Sequence, residues 1–126
     1  MSSRAVLVVD DDPIMRFCLQ RLLQSEGYAV RTAADPDAAL AALEADRSDA
    51  VILDIVLDTS DGYAFCRHLK SAPSHDGLKI VMVSARARPD EVERGRAAGA
   101  DGYLAKPFGV AALKQALDDV FVHPRA

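Results

Sequence analysis

Three successive aspartates, Asp10, Asp11 and Asp12, follow the apolar run Ala5–Val9. A further aspartate, Asp54, follows Val51-Ile52-Leu53; Ser84 follows Ile80–Val83, and Lys106 follows Gly102–Ala105. If these runs are strands of one parallel sheet, all of these side chains meet at its carboxyl edge, where open α/β sheets build their sites. Two unit charges 4 Å apart repel by about 4 kcal/mol at an effective dielectric of 20, so clustered carboxylates call for a cation. Carboxylate oxygens are hard ligands; Mg²⁺ typically takes one or two of them, keeps waters and engages a phosphate. A carboxylate beside such a cation can attack phosphorus and become an aspartyl phosphate. That transfer runs mainly on positioning and charge stabilisation. In this chemistry Asp54 is the nucleophile, Asp10 and Asp11 serve the metal, Lys106 is the compact counter-cation and Ser84 the hydroxyl donor. Asp12, followed by Pro13, is read instead as a helix cap.

Such a convergence requires particular elements. Five β-type runs, Ala5–Val9, Ala29–Thr32, Ala50–Leu53, Ile80–Val83 and Gly102–Ala105, alternate with helical stretches. The first, third and fourth are dominated by Val, Ile and Leu without polar alternation, the pattern of strands buried on both faces. Asp12-Pro13 opens a helix that Gly27 ends, with Met15, Leu19, Leu22 and Leu23 on one face. Asp35-Pro36 opens an Ala-rich helix reaching about Ala45, and Asp61-Gly62 opens a third with Phe65, Cys66 and Leu69 inward. A fourth helix begins at Pro89 and ends by Gly99; a fifth runs from about Val110 with Leu113, Leu117 and Val120 as its stripe. Short connections make this (βα)₅, a flavodoxin-like, doubly wound α/β fold with a five-stranded parallel sheet of order 2-1-3-4-5. The fourth helix stands apart. It has one large apolar residue, Val92, and an interior Gly95, which costs roughly 1 kcal/mol relative to Ala. Arg86, Arg88, Arg94 and Arg96 surround it, as on a solvated face. Sparse apolar anchoring also makes it an element available for switching.

The chain has 126 residues, of which 50% are hydrophobic and 27% charged, so a single soluble globular domain over residues 1–126 is expected. Fifteen Lys+Arg against nineteen Asp+Glu give a net charge of −4, which argues against a nucleic-acid binder. Cys18 and Cys66 make no disulfide framework and suit a reducing cytosol; both lie near apolar helical faces and read as core packing. His68, His75 and His123 share no metal-ligand spacing, and Tyr28 and Tyr63 read as packing. The N-terminal apolar run is too short for a secretion signal or a spanning helix, so a cytoplasmic protein away from membranes is expected.

Val6-Leu7-Val8-Val9-Asp10-Asp11-Asp12-Pro13, Ile52-Leu53-Asp54, Val83-Ser84-Ala85 and Gly99-Ala100-Asp101-Gly102-Tyr103-Leu104-Ala105-Lys106-Pro107-Phe108 together resemble the receiver domain of two-component response regulators. The resemblance covers essentially the whole chain. It implies that Asp54 accepts a phosphoryl group from a histidine kinase or a phosphotransfer protein. It implies Mg²⁺ held by Asp11, Asp54 and the backbone carbonyl of Val56, with Asp10 assisting. Ser84 would bond the phosphoryl oxygen and Lys106 pair with it; Pro107 resembles a cis-proline that aims Lys106 into the site. Tyr103 matches the switch aromatic that turns inward when the hydroxyl moves. The switched face, helix 4, strand 5 and helix 5, would meet a downstream protein, an effector domain of a longer chain, or a second copy in a homodimer.

Departures from the family pattern bear on two properties. Asp58 stands where the family usually has proline, four residues past the phosphoacceptor, so a looser loop over Ile55–Gly62 is expected. Val56 and Arg86, two residues past Asp54 and Ser84, replace polar groups that can hold an attacking water, so self-dephosphorylation should be slow. Two other classes compete. A haloacid-dehalogenase-type enzyme needs a second aspartate two residues past the nucleophile, where Val56 stands. A phosphorylation-independent binding module with a vestigial pocket should have lost one of Asp11, Asp54, Ser84 and Lys106; all are present. The expectation is a signalling receiver whose own catalysis is limited to accepting and slowly losing its phosphate.

Overall fold

The computed structural model describes residues 4–57, 60–75, 77–85 and 88–122. In chain order the elements are β1 (Ala5–Val9), α1 (Pro13–Ser25), β2 (Ala29–Ala33), α2 (Pro36–Ala45), β3 (Ala50–Asp54), β4 (Val56–Leu57), β5 (Ser60–Asp61), α3 (Gly62–Ser71), a 3₁₀ turn (Pro73–His75), β6 (Lys79–Ser84), α4 (Pro89–Ala97), β7 (Gly102–Ala105) and α5 (Val110–Val122). The main sheet has order β2-β1-β3-β6-β7, which is 2-1-3-4-5 among its own strands. Every pairing within it is parallel.

Strand periodicity divides the core. Leu7, Val9, Val51, Leu53, Ile80 and Met82 point to one face and pack with Leu43 of α2 and Phe65, Cys66 and Leu69 of α3. Val6, Val8, Ala50, Ile52, Val81 and Val83 point to the other and meet Leu19 and Leu23 of α1 and Leu113, Leu117 and Val120 of α5. Successive residues thus serve opposite faces, so the central strands have no polar position to spare. Each fully buried Val, Leu or Ile contributes about 1.5–3 kcal/mol relative to exposure, which locks the register.

The helix starts follow the chemistry of their caps. The carboxylates of Asp12, Asp35 and Asp61 accept hydrogen bonds from the backbone N–H groups of Ile14 (2.9 Å), Ala38 (2.7 Å) and Tyr63 (2.9 Å). α4 begins after Arg88 with no side-chain cap.

Three expectations need revision. Cys18 is exposed, whereas Cys66 is buried. The inward stripe of α1 runs through Met15, Leu19 and Leu23, and Cys18 lies to its side, lining an open groove with Met15, Leu22 and Phe108. Within the segment after Asp54, where a looser loop is expected, the described residues of β4 and β5 are paired as an antiparallel ribbon matching Val56 with Asp61 and Leu57 with Ser60. Asp58 itself lies outside the described residues. Gly95 is more than a weak helix residue. It is buried, and a methyl group there would stand 3.0 Å from Met82 Sδ and 3.4 Å from the Tyr103 ring. Its missing side chain lets α4 lie close against the sheet.

Candidate functional site

Sheet register delivers the chemistry to one edge. Asp10 follows β1, Asp54 and Ser84 are the last residues of β3 and β6, and Lys106 follows β7. Asp54 pairs with Val83, and Ser84 with Ala105, so the three neighbouring strands end in step. Backbone bonds past the strand ends fix the rim: Asp10 N–H donates to Ala33 O at 3.1 Å, Ile55 N–H to Val83 O at 3.0 Å, and Lys106 N–H to Ser84 O at 2.7 Å. The Lys106–Pro107 peptide is cis, as the resemblance implies.

One carboxylate oxygen from each of Asp10, Asp11 and Asp54 falls within 4.8 Å of the other two. Asp10 and Asp54 are only 3% and 8% exposed and Ser84 4%, whereas Asp11 faces solvent. Lys106 Nζ lies 3.1 Å from Asp54 Oδ2 and 3.6 Å from Asp10 Oδ2, one cation between two buried carboxylates. Burial pushes the Asp10 carboxyl above its usual range, with the Asp54 and Asp11 charges adding, while the Asp12 N–H (2.9 Å) and Lys106 offset part of it. For Lys106, burial acts to lower the pKa, but the hydrogen bond and charge of Asp54, joined by Asp10, raise it on balance. The ammonium therefore stays charged. The donor set of three hard carboxylates fits a divalent cation such as Mg²⁺ better than a soft metal.

Tyr103 is half-buried on β7 at the margin of the core. Val56 is placed by its backbone in the ribbon, and Arg86 lies outside the described residues, as does His123. His68 and His75 belong to no metal-binding group of the described residues. Two residues were missed or under-read from sequence. Arg16 sends NH1 to the backbone carbonyl of Asp10 at 2.7 Å, bracing the turn that carries the acidic cluster. Only the position one helical turn past Asp12 could have signalled it. Tyr63 is buried, as packing requires, yet its hydroxyl also bonds the backbone carbonyl of Glu91 at 3.3 Å.

Site and fold define a phosphoacceptor-type signalling domain: a five-stranded doubly wound sheet with an acidic cluster and a lysine at its carboxyl edge. The chain belongs to the response regulator receiver domain family, whose model matches residues 6–118. It is 44% identical over 108 residues to the response regulator MprA of Mycolicibacterium vanbaalenii, a match covering 86% of this chain and 46% of that protein. The chain thus spans about half the length of the curated relatives it matches. Among solved structures, the chemotaxis protein CheY4 of Vibrio cholerae superposes with a TM-score of 0.89 at 33% identity, covering 94% of this chain and 99% of that one. A response regulator from Burkholderia pseudomallei, solved with a phosphorylated aspartic acid, a calcium ion and citrate, gives 0.84 at 29% identity over 95% and 71% of the two chains. The protein is a receiver domain of two-component response regulators, a signalling domain rather than a conventional enzyme. No helix among the described residues is long and apolar enough to cross a membrane.

Proposed function

We propose that Asp54 accepts the phosphoryl group and that Ser84, Lys106 and Tyr103 read its arrival, the whole chain acting as one receiver unit. The observation that carries this is the placement of Asp54: its carboxylate is 3.1 Å from Lys106 Nζ and within 4.8 Å of an oxygen of both Asp10 and Asp11. In the transfer a carboxylate oxygen of Asp54 bonds to phosphorus, the bond from phosphorus to the donor histidine nitrogen breaks, and the leaving imidazole takes up a proton. Lys106 offsets the added negative charge, and the Ser84 hydroxyl donates to a phosphoryl oxygen. Asp10, Asp11, Asp54 and the Val56 carbonyl are the groups that would hold Mg²⁺, which when bound neutralises charge on both the carboxylates and the phosphoryl oxygens.

A histidine kinase or phosphotransfer protein is the donor. The rim supports a protein rather than a free metabolite: the large hydrophobic residues most exposed among those described are Ile14 (73%), Phe17 (61%) and Val110, at the starts of α1 and α5 beside the acidic edge. Such a donor places the domain in the cytoplasm. Output passes through α4, β7 and α5 to a protein partner, an effector domain of a longer chain or a second copy. The Burkholderia relative, with its phosphorylated aspartic acid and calcium ion, supports the same chemistry here.

With a small phosphodonor and Mg²⁺, intact mass should rise by one phosphate, and Asp54→Asn should abolish the adduct. Undiminished labelling of that variant overturns the assignment. Loss of the phosphate should be slow, because Val56 has no polar group to hold an attacking water and Arg86 can only donate. Val56→Asn with Arg86→Glu should shorten the phosphate's half-life; equal half-lives in variant and wild type contradict this reading.

A further inference from the structure

The turn from Asp10 to Asp12 is fixed atom by atom. Asp10 N–H donates to the Ala33 carbonyl at 3.1 Å, which extends the β1–β2 pairing by one residue. Asp10 Oδ1 accepts from the Asp12 N–H at 2.9 Å, and the Asp12 carboxylate caps α1. The Asp10 carbonyl accepts from NH1 of Arg16 at 2.7 Å. Arg16 sits one helical turn into α1, where its own N–H donates to the Asp12 carbonyl at 3.0 Å. A helical side chain leans back toward the N-terminus of its helix, which brings this guanidinium onto the turn.

Arg16 stands beside the acidic cluster without pairing with it. Among the described residues, the ion pairs of Asp10, Asp11 and Asp54 are those of Lys106 with Asp54 and Asp10. A side chain that bonds a ligand carboxylate competes with a metal for it, whereas one that grips the main chain leaves the carboxylates free. The difference matters most for Asp11, which faces solvent and is placed by its backbone rather than by packing. The peptide joining Asp10 to Asp11 is planar, so a bond to its oxygen fixes the whole plane. Rotation of that plane would swing the Asp11 carboxylate away from Asp10 and Asp54, and the Arg16 bond opposes it.

We propose that Arg16 is a positioning residue for the metal site: by holding the Asp10 carbonyl it keeps Asp11 aligned with Asp10 and Asp54, and so sets the affinity for Mg²⁺. The proposal rests on the reading of those three aspartates as the Mg²⁺ ligands. The charge of Arg16 acts in the opposite direction, because a fixed cation near the site repels an arriving one. The sign of the effect therefore separates the two roles. Arg16→Met keeps an unbranched side chain and removes both the donors and the charge. Isotope-labelled protein is titrated with MgCl₂ and the amide resonances of Asp10, Asp11 and Asp12 are followed. The Kd for Mg²⁺ should rise about tenfold in Arg16→Met, the low end of the loss that follows removal of a metal ligand's supporting partner. Loss of the charge alone would lower it. The contact uses a single donor, NH1, so Arg16→Lys should recover part of the affinity. A Kd in Arg16→Met equal to or below that of wild type would overturn the proposal. So would an Arg16→Lys protein that binds no tighter than Arg16→Met, or metal-free variants whose resonances shift throughout β3 and β6, the mark of a general structural defect. Absence of any Mg²⁺-dependent shift in wild type would overturn the metal reading and this proposal with it, whereas identical saturation of wild type and Arg16→Met defeats the role of Arg16 alone.

Discussion

Lys106 shows how one residue settles a balance of large terms. Taking an ammonium out of water disfavours its charge, yet two carboxylates within 4 Å reverse the outcome, and the group remains a cation facing Asp54. Ser84, almost wholly buried, has its backbone carbonyl tied to the Lys106 N–H, so the two strand ends that carry hydroxyl and ammonium are held in register. The two cysteines show the same rule from the opposite side. Burial pushes the Cys66 thiol up to about 11, so its reactive thiolate is scarce until the pH approaches that value. Cys18 is exposed on α1. Alkylation of the folded protein near pH 8 should therefore give one adduct, on Cys18, with Cys66 labelled only after unfolding. Equal labelling of both in the native protein would contradict this placement.

At the scale of elements, the segment from Asp54 to α3 is set by backbone closure. Gly62 N–H donates to the Ile55 carbonyl at 3.0 Å, and a methyl group at Gly62 would stand 2.6 Å from that oxygen and 2.7 Å from Ile55 Cα. Neither is the end of a flexible side chain, so nothing nearby can yield cheaply. Gly62→Ala should destabilise the protein by about 1–3 kcal/mol, the usual cost of overpacking. Because Ile55 adjoins Asp54, the proposed phosphoacceptor, phosphate uptake should also slow. Chemical denaturation and a labelling time course would check both, and an unchanged midpoint would be inconsistent with the close approach. α4 is the contrasting element, held by polar contacts to α3 and by the ring of Tyr103 rather than by a wide apolar stripe. Elements secured in that way open at lower free energy than central strands, as the proposed switching role of α4 requires.

The whole molecule sets a stable sheet against an electrostatically costly edge. A core on both faces supplies the stability, and the site draws on it by holding Asp10, Asp11 and Asp54 together with one lysine among them. The cost falls more on Asp10 than on Asp11, because it is buried and Asp11 is not, while Lys106 lies closer to the likewise buried Asp54 (3.1 Å) than to Asp10 (3.6 Å). In chelator, Asp10→Asn should stabilise the protein by about 1 kcal/mol, roughly 3–5 °C in Tm for a chain of this size. Asp11→Asn should be nearly neutral there. At Mg²⁺ tenfold above its Kd the wild type should gain about 1.4 kcal/mol by mass action, and Asp11→Asn hardly anything. Thermal melts with and without Mg²⁺ test this directly; identical Mg²⁺ shifts in wild type and Asp11→Asn would refute Asp11 as a ligand.

Strand and helix order, the carboxyl-edge set of Asp10, Asp11, Asp54, Ser84 and Lys106, and the caps at Asp12, Asp35 and Asp61 were legible in the sequence. Each depends on short-range rules: apolar runs between Asp-Pro and Asp-Gly signals can form only a few structures, and parallel topology then brings the strand ends together. What the sequence could not show depends on rotation about a helix axis and on contacts between distant segments. Cys18 and Cys66 both lie close to apolar stripes, and only packing decided that one faces solvent and the other the core. Gly95 looked like a weakness in α4 until Met82 and Tyr103 came to lie against it. Tyr63 could be assigned a buried ring from its position, but its hydroxyl found Glu91, 28 residues later, through tertiary structure alone. Burial of an aromatic ring is a property of local pattern, whereas the partner of its one polar atom is set by whichever chain segment the fold brings there.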